Sequence, residues 1–373
     1  MMRITTNGTL HTYQSNLLKT SNQLYSAMSK LMTHRNFDSY SADPAGATRA
    51  FKIHSSLNAT RTQYANNTTV TSKFETAYQV EQGVLRSLEE LAQEPALAGL
   101  NSPGWSVLDS YAQVLRSGAD SIVQSLNAKY DDAFLFNGAE TGEPPFAIET
   151  DNSQNPPVEV LTFRGWKVDV PDNNDTYLDL DGNPVTNPDT GANYTNAEVL
   201  EKLGEMTDET LYVDLGLGFT TDANGDVIPS SAFNSALSGL DFTGFGLDDD
   251  GDPQNVVSVL LRLADVYEGY DTDTGWGAAG NFDDASRLVG KFTDAQNRMI
   301  DANVSLTAQA DYLGTNESRL TSTFDALDTE RSNIEDIDEV DAIMELSWAQ
   351  TCYNAALQVG ANVIPQSLMD YMR

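Results

Sequence analysis

A chain of 373 residues is long enough for two or three domains with cores of their own, and 40% hydrophobic with 9% aromatic residues suits a largely helical protein. Its net charge of −34 repels phosphate backbones and anionic lipid, which disfavours nucleic acid and membrane as partners. No run approaches the roughly 20 consecutive apolar residues of a membrane span, and the start, Met1 to Gly8, lacks the apolar run of a secretory signal.

In chain order, the first element is a helix marked by Leu10, Leu17, Leu24 and Leu31, each seven residues apart. Asp43-Pro44 then opens a second helix, a capping carboxylate followed by proline at the first helical position. Its seam runs through Leu57, Tyr64, Thr71, Tyr78, Leu85 and Ala92, with Phe74 and Leu88 in the companion positions. Pro95 and Pro103-Gly104 break the pattern, and Leu108, Tyr111, Leu115, Ile122 and Leu126 predict a third helix.

From Gly142 to about Asp252 the composition shifts to Gly, Pro, Asn and Asp. Short alternating runs at 158–163, 166–170, 176–180 and 211–219 are separated by the turn signals Asp181-Gly182, Asn224-Gly225 and Asp250-Gly251. These predict a mostly β insert. An amphipathic helix over 255–267, with Val256, Leu260, Leu263 and Tyr267 on one face, leads out of it.

The C-terminal half returns to the heptad: Leu288, Phe292, Ala295, Met299, Ala302, Leu306, Ala310, Leu313, Leu320, Phe324, Leu327 and Ile334. A single helix over 283–344, about 90 Å long at ~1.5 Å per residue, is expected, with Asp283 near its start. The expected fold class is therefore α+β: a long coiled-coil-like α-helical stalk built from both chain ends, with an inserted mostly β domain. The expected parts are residues 1–42 and 344–373 as terminal arms, ordered only on assembly, 43–140 and 282–343 as the stalk, and 141–281 as an acidic, solvent-facing insert. Leu10–Leu31 and Met344–Leu368 have too little apolar surface within one chain to offset their ordering entropy.

Charge is uneven along the chain. Residues 1–60 carry Arg3, Lys19, Lys30, Arg35, Arg49 and Lys52 against Asp38 and Asp43, whereas 141–281 hold only Arg164, Lys167, Lys202 and Arg262 among many acids. The acidic turns at 222–226 and 248–252 invite a calcium reading. Their Gly comes too early for a calcium-loop consensus and the closing Glu is missing, so hairpin turns explain them better. Gly216-Leu-Gly218-Phe lacks the third glycine of a dinucleotide fingerprint. Cys352, the one cysteine, has no neighbouring base to activate it, and His11, His34 and His54 stand in no ligand spacing. No catalytic motif is present, and neither metal nor cofactor is expected.

Three stretches are more specific. They are 35–50 with the turn Asp43-Pro44-Ala45-Gly46-Ala47, 133–146 with Phe134-Leu135-Phe136, Gly138 and Pro144-Pro145-Phe146, and 355–373 with the tail Ile364-Pro-Gln-Ser-Leu-Met-Asp-Tyr-Met-Arg373, to which the start Met2-Arg-Ile-Thr-Thr-Asn7 is added. In order and spacing they resemble the flagellin superfamily, over residues 2–146 and 283–373. The tail is similar to that of the hook-associated branch at the hook–filament junction, where filament flagellins end in Leu-Leu. Thr33-His34-Arg35 departs from the family's Ser-Gly-Lys-Arg, and Asn137 stands where Ala is common.

The resemblance implies a structural, non-enzymatic subunit, exported unfolded by the flagellar apparatus without a cleaved signal and located outside the cell in the flagellum. Implied partners are copies of itself, a neighbouring hook-associated junction protein, flagellin, the export apparatus and an export chaperone. The expected assembly interface comprises Leu10, Leu17, Leu24, Leu31, Met344, Trp348, Val359, Val363 and Leu368, with Asp43, Pro44 and Gly46 as the family turn. A filament flagellin is the alternative. An enzyme or adhesin carried by the insert is a third possibility, for which no site is found in 141–281.

Overall fold

The computed structural model describes residues 6–37, 39–140, 142–277 and 279–363. Its helices are α1 (Thr6–Thr33), α2 (Pro44–Leu91), α3 (Leu108–Leu126), α4 (Asn196–Thr207), α5 (Gly239–Thr243), α6 (Val256–Glu268), α7 (Phe282–Glu335) and α8 (Glu339–Val363). The strands are short: β1 (Lys129–Tyr130), β2 (Ala133–Phe134), β3 (Asn137–Gly138), β4 (Phe146–Asp151), β5 (Val158–Phe163), β6 (Trp166–Lys167), β7 (Tyr212–Val213), β8 (Phe233–Asn234) and β9 (Leu237–Ser238). The fold is α+β, with long helices from both chain ends and a small β region between them. It divides into two compact units, one built from residues up to Thr62 and from Arg319 onward, the other from Gln63–Ser318.

In the larger unit, α6 is buried on nearly every side, beyond the single face its sequence suggests. Val256, Val257, Leu260, Leu263, Ala264 and Tyr267 are all sealed from water. It packs on α3, whose Leu108, Leu115, Ile122 and Leu126 form the opposing stripe. Asn255 caps α6 by accepting from the Val257 amide at 2.9 Å. Tyr267 donates its hydroxyl to the Ala96 carbonyl and accepts from the Gly99 amide at 3.1 Å, which pins the broken helical turns between α2 and α3. Antiparallel β4, β5 and β6 form the largest sheet, with Phe146 opposite Phe163 in the register. Burying Phe146, Leu161 and Phe163 on one face attaches this sheet to the same core.

Several sequence expectations change. Of the expected alternating runs, 176–180 forms only isolated bridges at Thr176 and Leu178, and 211–219 keeps only β7. The insert also contains a helix, α4, over a stretch where no element is expected. Thr195 accepts from the Glu198 amide at 3.2 Å, and Glu198 accepts from the Thr195 amide at 2.8 Å. That reciprocal capping box, Thr-x-x-Glu, starts the helix. The expected single helix over 283–344 also ends early, at Glu335. Asp338 Oδ1 accepts from the amides of Val340 (2.9 Å) and Asp341 (3.3 Å) and so begins α8 afresh.

Candidate assembly interface

The smaller unit is organised by charge. Residues 1–62 hold seven Lys and Arg against two Asp, while 319–373 hold three Arg against ten Asp and Glu. Opposite ends of the chain therefore attract, and α1 and α8 pair. Lys30 Nζ lies 3.1 Å from Glu345 Oε2, and His34 Nδ1 lies 3.4 Å from Glu339 Oε1. At the far end of the pair the Tyr13 side chain lies across Gly360, where a Cβ would stand 1.9 Å from its hydroxyl. These contacts run antiparallel, and their register sets Leu31, Leu24 and Leu17 level with Ala342, Ala349 and Ala356. Those alanines also stand seven apart, so a large-residue heptad on α1 meets a small-residue heptad on α8. Ala27, Ala342, Ala349 and Gly360 are buried by the pairing, and Leu10, Leu17, Leu24 and Leu31 are half-buried.

The predicted interface residues thus fall on two different faces. The four leucines lie along the side of α1 that faces α8. Met344, Trp348 and Val359 lie on the outer side of α8 and are 57%, 72% and 53% exposed. Val363 closes α8, its side chain lying outside the described part, and Leu368 with the rest of the tail lies outside the described residues. Pairing within one chain accordingly covers part of each stripe that the sequence leaves uncovered. A further row, Leu18, Tyr25 and Met32, runs exposed along α1 at the same seven-residue period. It is invisible to a search that follows only the stronger leucine repeat. The alanine heptad of α8 is missed for a similar reason, because small residues carry little hydropathy signal.

The turn before α2 is set by Asp43, whose Oδ1 accepts from the amides of Ala45 (3.1 Å) and Gly46 (3.0 Å) behind Pro44 at the first helical position. A Cβ at residue 46 would stand 2.3 Å from the Asp43 carboxylate, so glycine is what the cap admits.

The acidic turns of the larger unit share one geometry. Asp179, Asp222 and Asp248 each accept, on Oδ1, from the amides two and four residues on, around a glycine of positive φ. Amide donors hold the Asp179 and Asp222 carboxyls below their usual range. At the third turn the protein supplies its own cation: Lys291 Nζ lies 2.6 Å from Asp248 and 2.9 Å from Asp250. Buried Asp252 is held by Arg287 at 2.5 Å. Among the described residues no helix is long and apolar enough to cross a membrane.

Residues 296–372 match the family model described as the bacterial flagellin C-terminal helical region. No curated protein matches the chain. Among solved structures it is similar to a flagellar hook-associated protein from Vibrio parahaemolyticus, at 15% identity over 79% of this chain and 100% of that one, TM-score 0.49. Others are Bacillus cereus FlgL (12% identity, 75% and 99% covered, TM-score 0.40) and hook-associated protein-3 from Legionella pneumophila (14% identity, 76% and 98% covered, TM-score 0.45).

Proposed function

We propose that this chain, whose C-terminal region is of the bacterial flagellin type, is a structural subunit of the bacterial flagellum that joins hook to filament and catalyses nothing. The observation that carries this reading is α8. It is apolar on both sides, yet among the described residues only one side has a partner; Val340, Met344, Trp348 and Val359 face water. A helix that is hydrophobic all round belongs in a core, and an apolar row of this kind marks an association surface. The exposed row Leu18, Tyr25 and Met32 on α1 has the heptad period that such a surface requires of its partner. Further copies of the same helix pair therefore suit the vacancy.

In this reading the interface comprises Leu10, Leu17, Leu24 and Leu31 within each pair, and Met344, Trp348, Val359, Val363 and Leu368 towards neighbours. The arms 1–42 and 344–373 complete their packing on assembly, while the acidic insert faces solvent. The neighbours are a second hook-associated protein on the hook side and flagellin on the other. The chain reaches them through the flagellar export apparatus, escorted by a chaperone, and lies outside the cell. The junction is favoured over the propeller by the tail Ile364 to Arg373, which resembles the junction ending.

Electron microscopy of cells lacking the gene tests this. Hooks without filaments are expected, with flagellin shed into the medium. Normal filaments on such cells overturn the reading. Spontaneous growth of long filaments from the purified chain favours the flagellin alternative instead.

A further inference from the structure

A helix of 54 residues ends at Glu335 with backbone carbonyls that no later turn of its own can satisfy. In this protein the partner for them comes from the opposite end of the chain. The Asn36 amide nitrogen donates to the Glu335 carbonyl at 2.7 Å. Its side-chain Nδ2 donates to the carbonyls on either side, Ile334 at 3.1 Å and Asp336 at 2.8 Å. One residue thus serves three successive carbonyls at the end of α7. The return contact runs from the Ile337 amide to the His34 carbonyl at 3.4 Å, and Arg35 pairs with Asp336 as an antiparallel bridge.

Beneath this exposed layer lies a buried one. Glu335 is 8% exposed, and its carboxylate lies 2.8 Å from His54 Nε2 on α2 and 3.7 Å from Arg331. The two breaks in the helical chain, 34–43 between α1 and α2 and 336–338 between α7 and α8, are therefore joined at one place. Joined, they can move only together.

We infer that Asn36 is a positioning residue: by capping α7 from the α1–α2 turn, it fixes the direction in which the paired helices α1 and α8 leave α2 and α7. An asparagine suits this role because one side chain offers two donor protons at close reach while its own amide supplies a third. Aspartate has the same shape and no donors, so it would set a carboxylate against carbonyl oxygens.

The test is hydrogen exchange of the full-length chain, wild type against Asn36→Ala, Asn36→Asp and Asn36→Gln. In Asn36→Ala, amides in segments 27–37 and 334–345 should exchange about tenfold faster, the effect of losing about one net hydrogen bond or slightly more. Segments 108–126 and 256–268 of the larger unit should keep their wild-type rates. Asn36→Asp should behave as the alanine variant, and Asn36→Gln, which retains both donors, should recover most of the protection. Rates within twofold of wild type in 27–37 and 334–345 overturn the inference. So does acceleration spread equally over the larger unit, which would make Asn36 a general stability residue. Wild-type behaviour of Asn36→Asp also overturns it, because the donors would then be irrelevant.

Discussion

Asn316 donates its side-chain amide to the Asn67 side-chain carbonyl at 2.8 Å, and both residues are buried between α7 and α2. Asn67 in turn donates to the Leu313 carbonyl at 3.1 Å, and Asn316 to the Leu215 carbonyl at 3.1 Å. Paired polar residues in an apolar seam set register, because a slip by one turn would strand both amides. Asn67→Leu should cost ~2 kcal/mol, since it leaves Asn316 partly unsatisfied. The double variant with Asn316→Leu should cost less than the sum of the two single changes. Urea unfolding of the four proteins gives the coupling directly.

Glu81 makes the seam sensitive to pH. Burial pushes its carboxyl up to about 7, against the opposing effect of the Asn303 amide that donates to it at 3.0 Å. Burial does the same at Asp169, also to about 7. An acid whose folded pKa is raised holds its proton longer when folded, so stability falls as pH rises from about 4 to about 7 and is level above. Glu81→Gln should add ~3 kcal/mol at pH 8 and leave stability at pH 4 nearly unchanged. Denaturant melts across that range should show a shallower slope in the variant.

His34 has φ of +56° at the end of α1, a conformation that glycine adopts without strain. Its contact with Glu339 is exposed at both partners and contributes little. His34→Gly should therefore be neutral or stabilising by up to ~1 kcal/mol, as read by thermal unfolding. A loss beyond ~1 kcal/mol would show that the ion pair outweighs backbone strain.

The two faces of the α1–α8 pair should respond differently to a buried charge. Trp348→Glu lies on the outer face and should leave the helical content and melting of the monomer unchanged while abolishing assembly with further copies of the chain. Leu24→Asp lies on the inner face and should weaken the pair within the monomer, by several kcal/mol if the charge stays desolvated. Circular dichroism and sedimentation of both variants separate these outcomes. If Trp348→Glu assembles normally, the outer face is not the contact.

Salt should stabilise the larger unit. The chain holds 55 acidic against 21 basic residues, with most of the excess in the middle. Self-repulsion over tens of ångströms is screened when the Debye length falls from ~30 Å at 0.01 M to ~3 Å at 1 M. The melting temperature should rise with sodium chloride, and equally with potassium chloride. A response to calcium alone, at millimolar levels, would instead point to a bound ion at the acidic turns.

The helices at both ends, the change of composition between them and the Asp43 cap ahead of Pro44 were open to reading from the linear chain, because periodicity and capping are local properties. The heptads of α1 and of α7 down to Leu320 are legible because most of their positions are large and apolar, although the row Leu18, Tyr25 and Met32 shows that such residues can also face water. Tertiary structure alone settled how those stripes divide. Ala342, Ala349 and Ala356 carry almost no hydropathy, yet they form the inner face of α8 because Lys30 and Glu345 set an antiparallel register that brings the leucines against them. Asn67, Glu81, Asn303 and Asn316 sit in the seam despite their polarity, since each finds a hydrogen-bond partner on another segment of the chain. The break at 336–338 had the same origin. Asp338 could have continued a helix, but the carbonyls that end α7 were claimed by Asn36, some 300 residues away, and a long-range hydrogen bond leaves no trace in a local pattern.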